Sequence, residues 1–233
     1  RVTSMMSEGA TVGRIPFPDE EGLTPEQRRV VDAVVAGPRG VLIGPLRAAL
    51  HRPELADAWQ RFGAMLRYDT SLPPRLSELA ILVTARRWNS QLEWHVHAAA
   101  AEKAGLPASA MESLRVGEPP HFEDEADAEV YEFSRELQIS GQVGEETYKK
   151  IKGRWGAVGV VELTTLIGYY TLVSMTLNAH HIPLPDGAAS PLELGGPCPE
   201  DGSLPVSLAA IPASTSRAKT SSTAASYGGF MVR

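Results

Sequence analysis

Cysteine is nearly absent from this 233-residue chain: Cys198 stands alone. One thiol excludes an internal disulfide framework, a cysteine-rich zinc site, an iron–sulfur cluster and any dithiol redox cycle within a single chain. An excess of positive charge is also missing. The net charge is −6, so no electrostatic footprint for a phosphate backbone or an anionic membrane surface is expected. No uninterrupted apolar run reaches the roughly 18 residues that span a bilayer, and residues 1–18 lack the apolar core of a signal peptide. The expectation is a cytoplasmic protein without nucleic-acid or membrane partners. What remains is an ordinary globular composition, 43% hydrophobic and 21% charged, in a chain long enough to bury a substantial core.

Three zones differ in composition. Residues 1–22 are polar and interrupted by Pro16 and Pro18, the mark of an arm. Residues 23–182 hold nearly all the periodic sequence. Residues 183–233 are rich in Pro, Ser and Thr, too poor in apolar surface to offset their own ordering entropy, and read as a tail that is flexible or docked on a partner. Cys198 lies in that tail as an incidental thiol.

The middle zone reads as helix throughout. Thr24-Pro25-Glu26-Gln27 is a capping box with proline in the first turn, and Gly37-Pro38 ends the helix it opens. Residues 54–67 place Leu55, Ala58, Trp59, Phe62 and Leu66 on one side. Pro73-Pro74 opens another helix, with Leu76, Leu79, Ala80, Leu82 and Val83 as its apolar face. A break at Trp88-Asn89-Ser90 precedes a helix through Ala104. Residues 123–137, 145–155 and 158–179 complete the set, and no period-2 strand pattern appears. The fold class is all-α. An offset of 84 positions maps Glu78-Leu79 onto Glu162-Leu163, Ser90 onto Ser174 and His97 onto His181, which suggests pseudo-duplicated helical hairpins.

Residues 78–97, ELAILVTARRWNSQLEWHVH, concentrate the candidate chemistry. Ser90, Glu93 and His97 fall at i, i+3 and i+7 of one helix and share a face, with Trp94 beside them. Arg86 and Arg87 end the preceding helix. Structural roles compete with chemical ones at each position. Ser90 and Glu93 form a capping box, Glu78 suits a first helical turn, and His97 suits a hydrogen-bonded core. His95 and His97 would share a face only in a strand; on a helix they diverge by about 160°, so no metal site is expected. His180 and His181 suit a helix C-terminus, where His181 could also reach the cleft through the repeat. Tyr169, Tyr170, Met175 and Leu177 fit core or subunit contacts, and Glu123 to Glu129 a solvated helix start.

The frame of this segment resembles the carboxymuconolactone decarboxylase and alkylhydroperoxidase D superfamily. Its peroxidase branch has a relay glutamate, eleven residues, a C-x-x-C pair, three residues and a histidine. Here Glu78 and His97 keep their places, while Ser90 and Glu93 occupy the two cysteine slots. The resemblance implies an alkylhydroperoxidase D-like helical domain assembling as trimers or hexamers. Loss of both thiols removes peroxidase chemistry. The decarboxylase-like branch implies instead a cofactor-independent lyase acting on a small unsaturated lactone or aromatic-derived carboxylic acid. In this reading His97 delivers a proton, Glu78 orients it, and Glu93 holds substrate or water. Arg86 or Arg87 would anchor the carboxylate, and Trp94 would form an apolar wall. The same site could serve an isomerase, hydratase or retro-aldolase, or a non-enzymatic oligomer that binds a small ligand.

Overall fold

A computed structural model describes residues 13–193 of the chain. Within them lie eight helices and no strand: α1 (Pro25–Ala36), α2 (Pro45–Ala49), α3 (Pro53–Tyr68), α4 (Pro74–Arg87), α5 (Gln91–Lys103), α6 (Ala108–Val116), α7 (Glu125–Ser140) and α8 (Glu145–Ala179). Helix α1 begins where its cap dictates. The Gln27 amide donates to Thr24 Oγ1 at 3.2 Å, and the Thr24 amide donates to Gln27 Oε1 at 2.9 Å. Asp124 caps α7 by accepting from the Ala126 amide at 2.8 Å.

Helix α4 is the centre of the architecture, packing on α5, α7 and α8. Every residue from Leu76 to Ala85 is buried, so this helix has no solvent face to carry polar residues. Helix α8 covers α4 with Leu163, Leu166, Ile167, Tyr170, Val173 and Leu177, all buried. It is two helices joined at Gly156, whose φ of 67° and ψ of −168° are closed to residues with a Cβ. This agrees with the break expected between residues 155 and 158.

Helix α8 is also long and apolar enough to cross a membrane by length and composition, a feature hidden from a search for uninterrupted apolar runs by its scattered polar residues. Here it is kinked and packs on five other helices.

Helix α3 departs from expectation. It turns Ala56, Trp59, Gln60, Gly63 and Leu66 inward, while Leu55, Ala58 and Phe62 face solvent. Its sequence holds two apolar faces, and Gly63 decides between them. A Cβ at Gly63 would lie 1.9 Å from Tyr169 Oη, so only this face lets α3 approach α8 closely. The outer face, with Leu55, Phe62, Met65 and Tyr68, is left exposed, as are Val158, Val161, Leu172 and Met175 on α8.

Helices α2 and α6 were not anticipated. Five residues are too few to show periodicity, and α6 buries only Ala110 and Leu114. The acidic start of α7 is also not purely solvated. Asp127 is buried and pairs with Arg75 at 2.5 Å, while Asp124 takes the other arm of the same guanidinium at 2.8 Å.

Both flanking segments touch the helices where they are described. The Arg14 amide donates to His180 O at 2.8 Å, and the Arg47 guanidinium lies 4.1 Å from the Phe17 ring centroid. The Gln91 side chain brackets the Leu192 backbone through bonds of 2.8 and 2.9 Å, and Leu192 is buried. Cys198 lies outside the described residues.

Candidate functional site

Helices α4 and α5 run back from the turn at residues 88–90, and this return brings Glu78 and His97 together although nineteen positions separate them. His97 Nδ1 lies 2.7 Å from Glu78 Oε2, with both side chains largely enclosed. Helix α8 closes the other side. The Tyr170 ring meets the His97 ring edge-on, centroids 4.9 Å apart, and Tyr169 meets Tyr170 edge-on at 5.2 Å. One helical turn from His97, Glu93 is buried, and its Oε2 accepts from Ser174 Oγ at 2.9 Å. Glu93 Oε1 and Ser90 Oγ are buried and have no partner among the described residues.

This arrangement rules out the expected capping box. Ser90 holds the N-cap position of α5 in extended geometry, yet its hydroxyl makes no cap bond. Its amide donates to Ala85 O at 2.9 Å, so Glu93 has no free amide to reach back to, and its carboxyl is engaged with Ser174 instead.

Burial sets the protonation of the cluster. It pushes the Glu93 carboxyl well above the usual carboxylate range, opposed only by the bond from Ser174. Burial also pushes the His97 imidazole below its ordinary value. The hydrogen bond and charge of Glu78 pull it back up, while the nearby charges of Arg67 and Arg39 push it further down. The Tyr170 phenol is raised well above its usual value, again by burial first. Burial therefore favours a neutral imidazole and a protonated carboxyl four residues apart on one helix face. With Glu78 accepting from Nδ1–H, the unprotonated nitrogen of His97 is Nε2.

The other expected site residues lie elsewhere. Arg86 donates to Asn89 Oδ1, and the charge nearest it in effect is that of Arg115. Arg87 donates to Gln138 O at 3.1 Å. Both sit eight or nine residues beyond Glu78, some 12 Å along the helix axis, whereas α5 has by then doubled back to His97. They therefore do not join the cluster. Trp94 is buried in the main core.

Among the positions linked by the internal echo, only Ser174 reaches Glu93. Glu162 accepts from the Ser71 amide at 2.9 Å, and His181 is exposed, with a φ of 48° just past α8. His95 is exposed and His97 buried, the divergence a helix imposes.

The residues that sequence reasoning missed are Arg39, Arg67, Tyr169, Tyr170 and Ser174 in their roles around His97. Arg39 Nη2 donates to Tyr169 Oη at 3.4 Å. A visible signal did exist. Two adjacent tyrosines interrupt the apolar run of α8, and Gly63 supplies the gap that Tyr169 enters.

With this geometry in place, comparison with known proteins adds a family match over part of the chain. Residues 53–128, from the start of α3 into α7, match the carboxymuconolactone decarboxylase family. That match supports the superfamily that the Glu78–His97 frame resembles.

The matched stretch contains Glu78, Ser90, Glu93 and His97. No curated protein matches the chain. Two solved structures share its fold. One is an uncharacterized peroxidase-related protein from Silicibacter sp. TM1040, with a TM-score of 0.61 at 13% identity over 78% of this chain and 96% of that one. The other is described as an alkylhydroperoxidase AhpD core, an uncharacterized peroxidase-related protein from Ralstonia eutropha JMP134. It gives a TM-score of 0.60 at 14% identity over 75% of this chain and 93% of that one. At such identities the likeness establishes the all-helical fold alone.

Proposed function

We propose that this chain is a member of the carboxymuconolactone decarboxylase superfamily and a cofactor-independent lyase that decarboxylates a small unsaturated or aromatic-derived carboxylic acid. The observation that carries this reading is the buried acid–base pair, His97 bonded to Glu78 at 2.7 Å with Glu93 beside it. Two titratable groups whose surroundings drive them in opposite directions supply an acid and a base at one pH.

The assignment differs from the one expected of the sequence. A neutral His97 is poorly suited to donate, so the donor in this proposal is the Glu93 carboxyl. The bond between the substrate's carboxyl carbon and its neighbour breaks, carbon dioxide leaves, and the electron pair enters the conjugated acceptor. The Glu93 proton then completes the carbon, and Glu93 is reloaded from solvent. His97 Nε2 accepts a hydrogen bond from the substrate or from a water, while Glu78 fixes its tautomer. A base and an acid together also suit a proton shift along a conjugated system, so isomerisation is the second reading.

Incubation with a panel of lactone and β-keto acids, followed by carbon dioxide release and ring absorbance, separates the two. In deuterated water the product carbon should acquire deuterium. Both E93Q and H97Q should lose turnover by at least a hundredfold. Turnover unchanged in these variants would remove the pair from the mechanism.

Association of copies is part of the proposal. Leu55, Phe62, Met65 and Tyr68 on α3, and Val158, Val161, Leu172 and Met175 on α8, are exposed apolar side chains of a kind that subunit contacts cover. A trimer or hexamer in the cytoplasm is the assembly we infer. A monomer by light scattering at micromolar concentration would refute it.

A further inference from the structure

We propose that Arg39, in the loop between α1 and α2, is the anion anchor of the His97 site and receives the carboxylate of the ligand. This deepens the acid–base reading, on which it rests, by naming the charge and the binding group.

Three observations point there. First, Arg39 is joined to His97 through a continuous chain of contacts. Its Nη2 donates to Tyr169 Oη at 3.4 Å, Tyr169 stacks edge-on against Tyr170 at 5.2 Å, and Tyr170 stacks edge-on against His97 at 4.9 Å. Second, the guanidinium is left without a carboxylate. It forms no ion pair among the described residues, and its Nε is buried with no acceptor. A buried guanidinium donor without an acceptor is costly, and a bidentate carboxylate is the ligand whose geometry it matches. Third, α3 is built around this group. A Cβ at Gly63 would come within 2.5 Å of Arg39 Nη2 and 1.9 Å of Tyr169 Oη, so glycine is what admits both to this place.

The electrostatics agree. Arg39 and Arg67 both act on His97 in the direction of the neutral ring, as a positively charged surround would, and Arg67 acts on Tyr170 as well. A ligand carboxylate at Arg39 would lie across the tyrosine pair from His97, with its unsaturated body against apolar ring edges. Arg86 and Arg87, the cations that the linear sequence places nearest to His97, also leave a buried nitrogen without a partner, but they donate to Asn89 and Gln138 and have no link to the tyrosine pair.

The test needs no turnover. The full chain is titrated with benzoate, a small aromatic carboxylate, and with benzamide, its neutral counterpart, by calorimetry and ligand-observed NMR. The parent protein should bind benzoate saturably and benzamide at least tenfold more weakly. R39Q should weaken benzoate roughly 10- to 100-fold while leaving benzamide unchanged, the loss expected for a charge-assisted hydrogen-bond pair. R39K keeps the charge without the planar fork and should fall between the two. Equal benzoate affinity in R39Q and the parent, equal affinity of the parent for benzoate and benzamide, or no saturable binding of benzoate to the parent overturns the proposal. Loss of turnover in E93Q and H97Q on the lactone and β-keto acid panel would leave the acid–base reading standing whatever becomes of Arg39.

Discussion

Replacing Glu93 by Gln tests the protonation of the cluster without any substrate. Glutamine keeps the shape and can still accept from Ser174 Oγ, the bond that Glu93 Oε2 makes at 2.9 Å. It cannot ionise. Because burial raises the Glu93 carboxyl well above its ordinary value, the folded protein holds a proton there that the unfolded chain has lost above about pH 4.3. The native state then binds more protons than the unfolded state, so this group's contribution to stability falls as pH rises until the folded carboxyl itself ionises. While the folded carboxyl keeps its proton the slope is about 1.4 kcal/mol per pH unit, so between pH 5 and pH 7 this site costs the parent at most about 3 kcal/mol. E93Q escapes that loss. His97 has the opposite sign, since its lowered value costs stability as pH falls below about 6.5, but it is present in both proteins and cancels in their difference. The gap in Tm between E93Q and the parent should therefore widen in favour of the variant by about 5–10 °C between pH 5 and pH 7. Thermal melts in matched buffers measure it. A gap that stays constant over this range would show that Glu93 is already ionised in the folded protein, and the proton donor would be lost with it.

Three further outcomes follow from the same contacts. E78Q removes the charge that pulls His97 upward, so the His97 ring should titrate at still lower pH than in the parent when followed by NMR. G156A forces a Cβ into a backbone with a φ of 67° and ψ of −168°, and should cost roughly 1–3 kcal/mol in urea unfolding; an unchanged midpoint would mean that α8 straightens without penalty. D127A removes a buried carboxylate that pairs with Arg75 at 2.5 Å. It should cost about 1–3 kcal/mol, because Asp124 still holds one arm of that guanidinium.

The limits of linear reading are clearest around His97. Helix starts at Thr24 and Pro74, the break at residue 156 and the alignment of Ser90, Glu93 and His97 are local matters of capping, backbone freedom and a 3.6-residue period, and all were legible. So was the Glu78–His97 pairing, through the resemblance. The capping box at Ser90 was misread because a local pattern competed with a distant one. Ser174, 81 positions from Glu93, claims the carboxyl that the box would have used. Arg86 and Arg87 looked close to His97 because they are close in sequence, but the reversal of α5 carries the histidine away from them. Arg39 and the tyrosine pair were invisible as a unit because 130 residues separate Arg39 from Tyr169.

The amino-acid sequence thus determined by itself the helical class, the order of the principal helices and the face on which imidazole and carboxyl sit, since each depends on neighbours within a few turns. Only the tertiary structure decided which apolar face of α3 points inward, whether Glu93 is charged, and which arginine stands near His97. Burial and long-range approach are properties of packing. A titratable group's proton affinity depends on how completely other segments remove it from water.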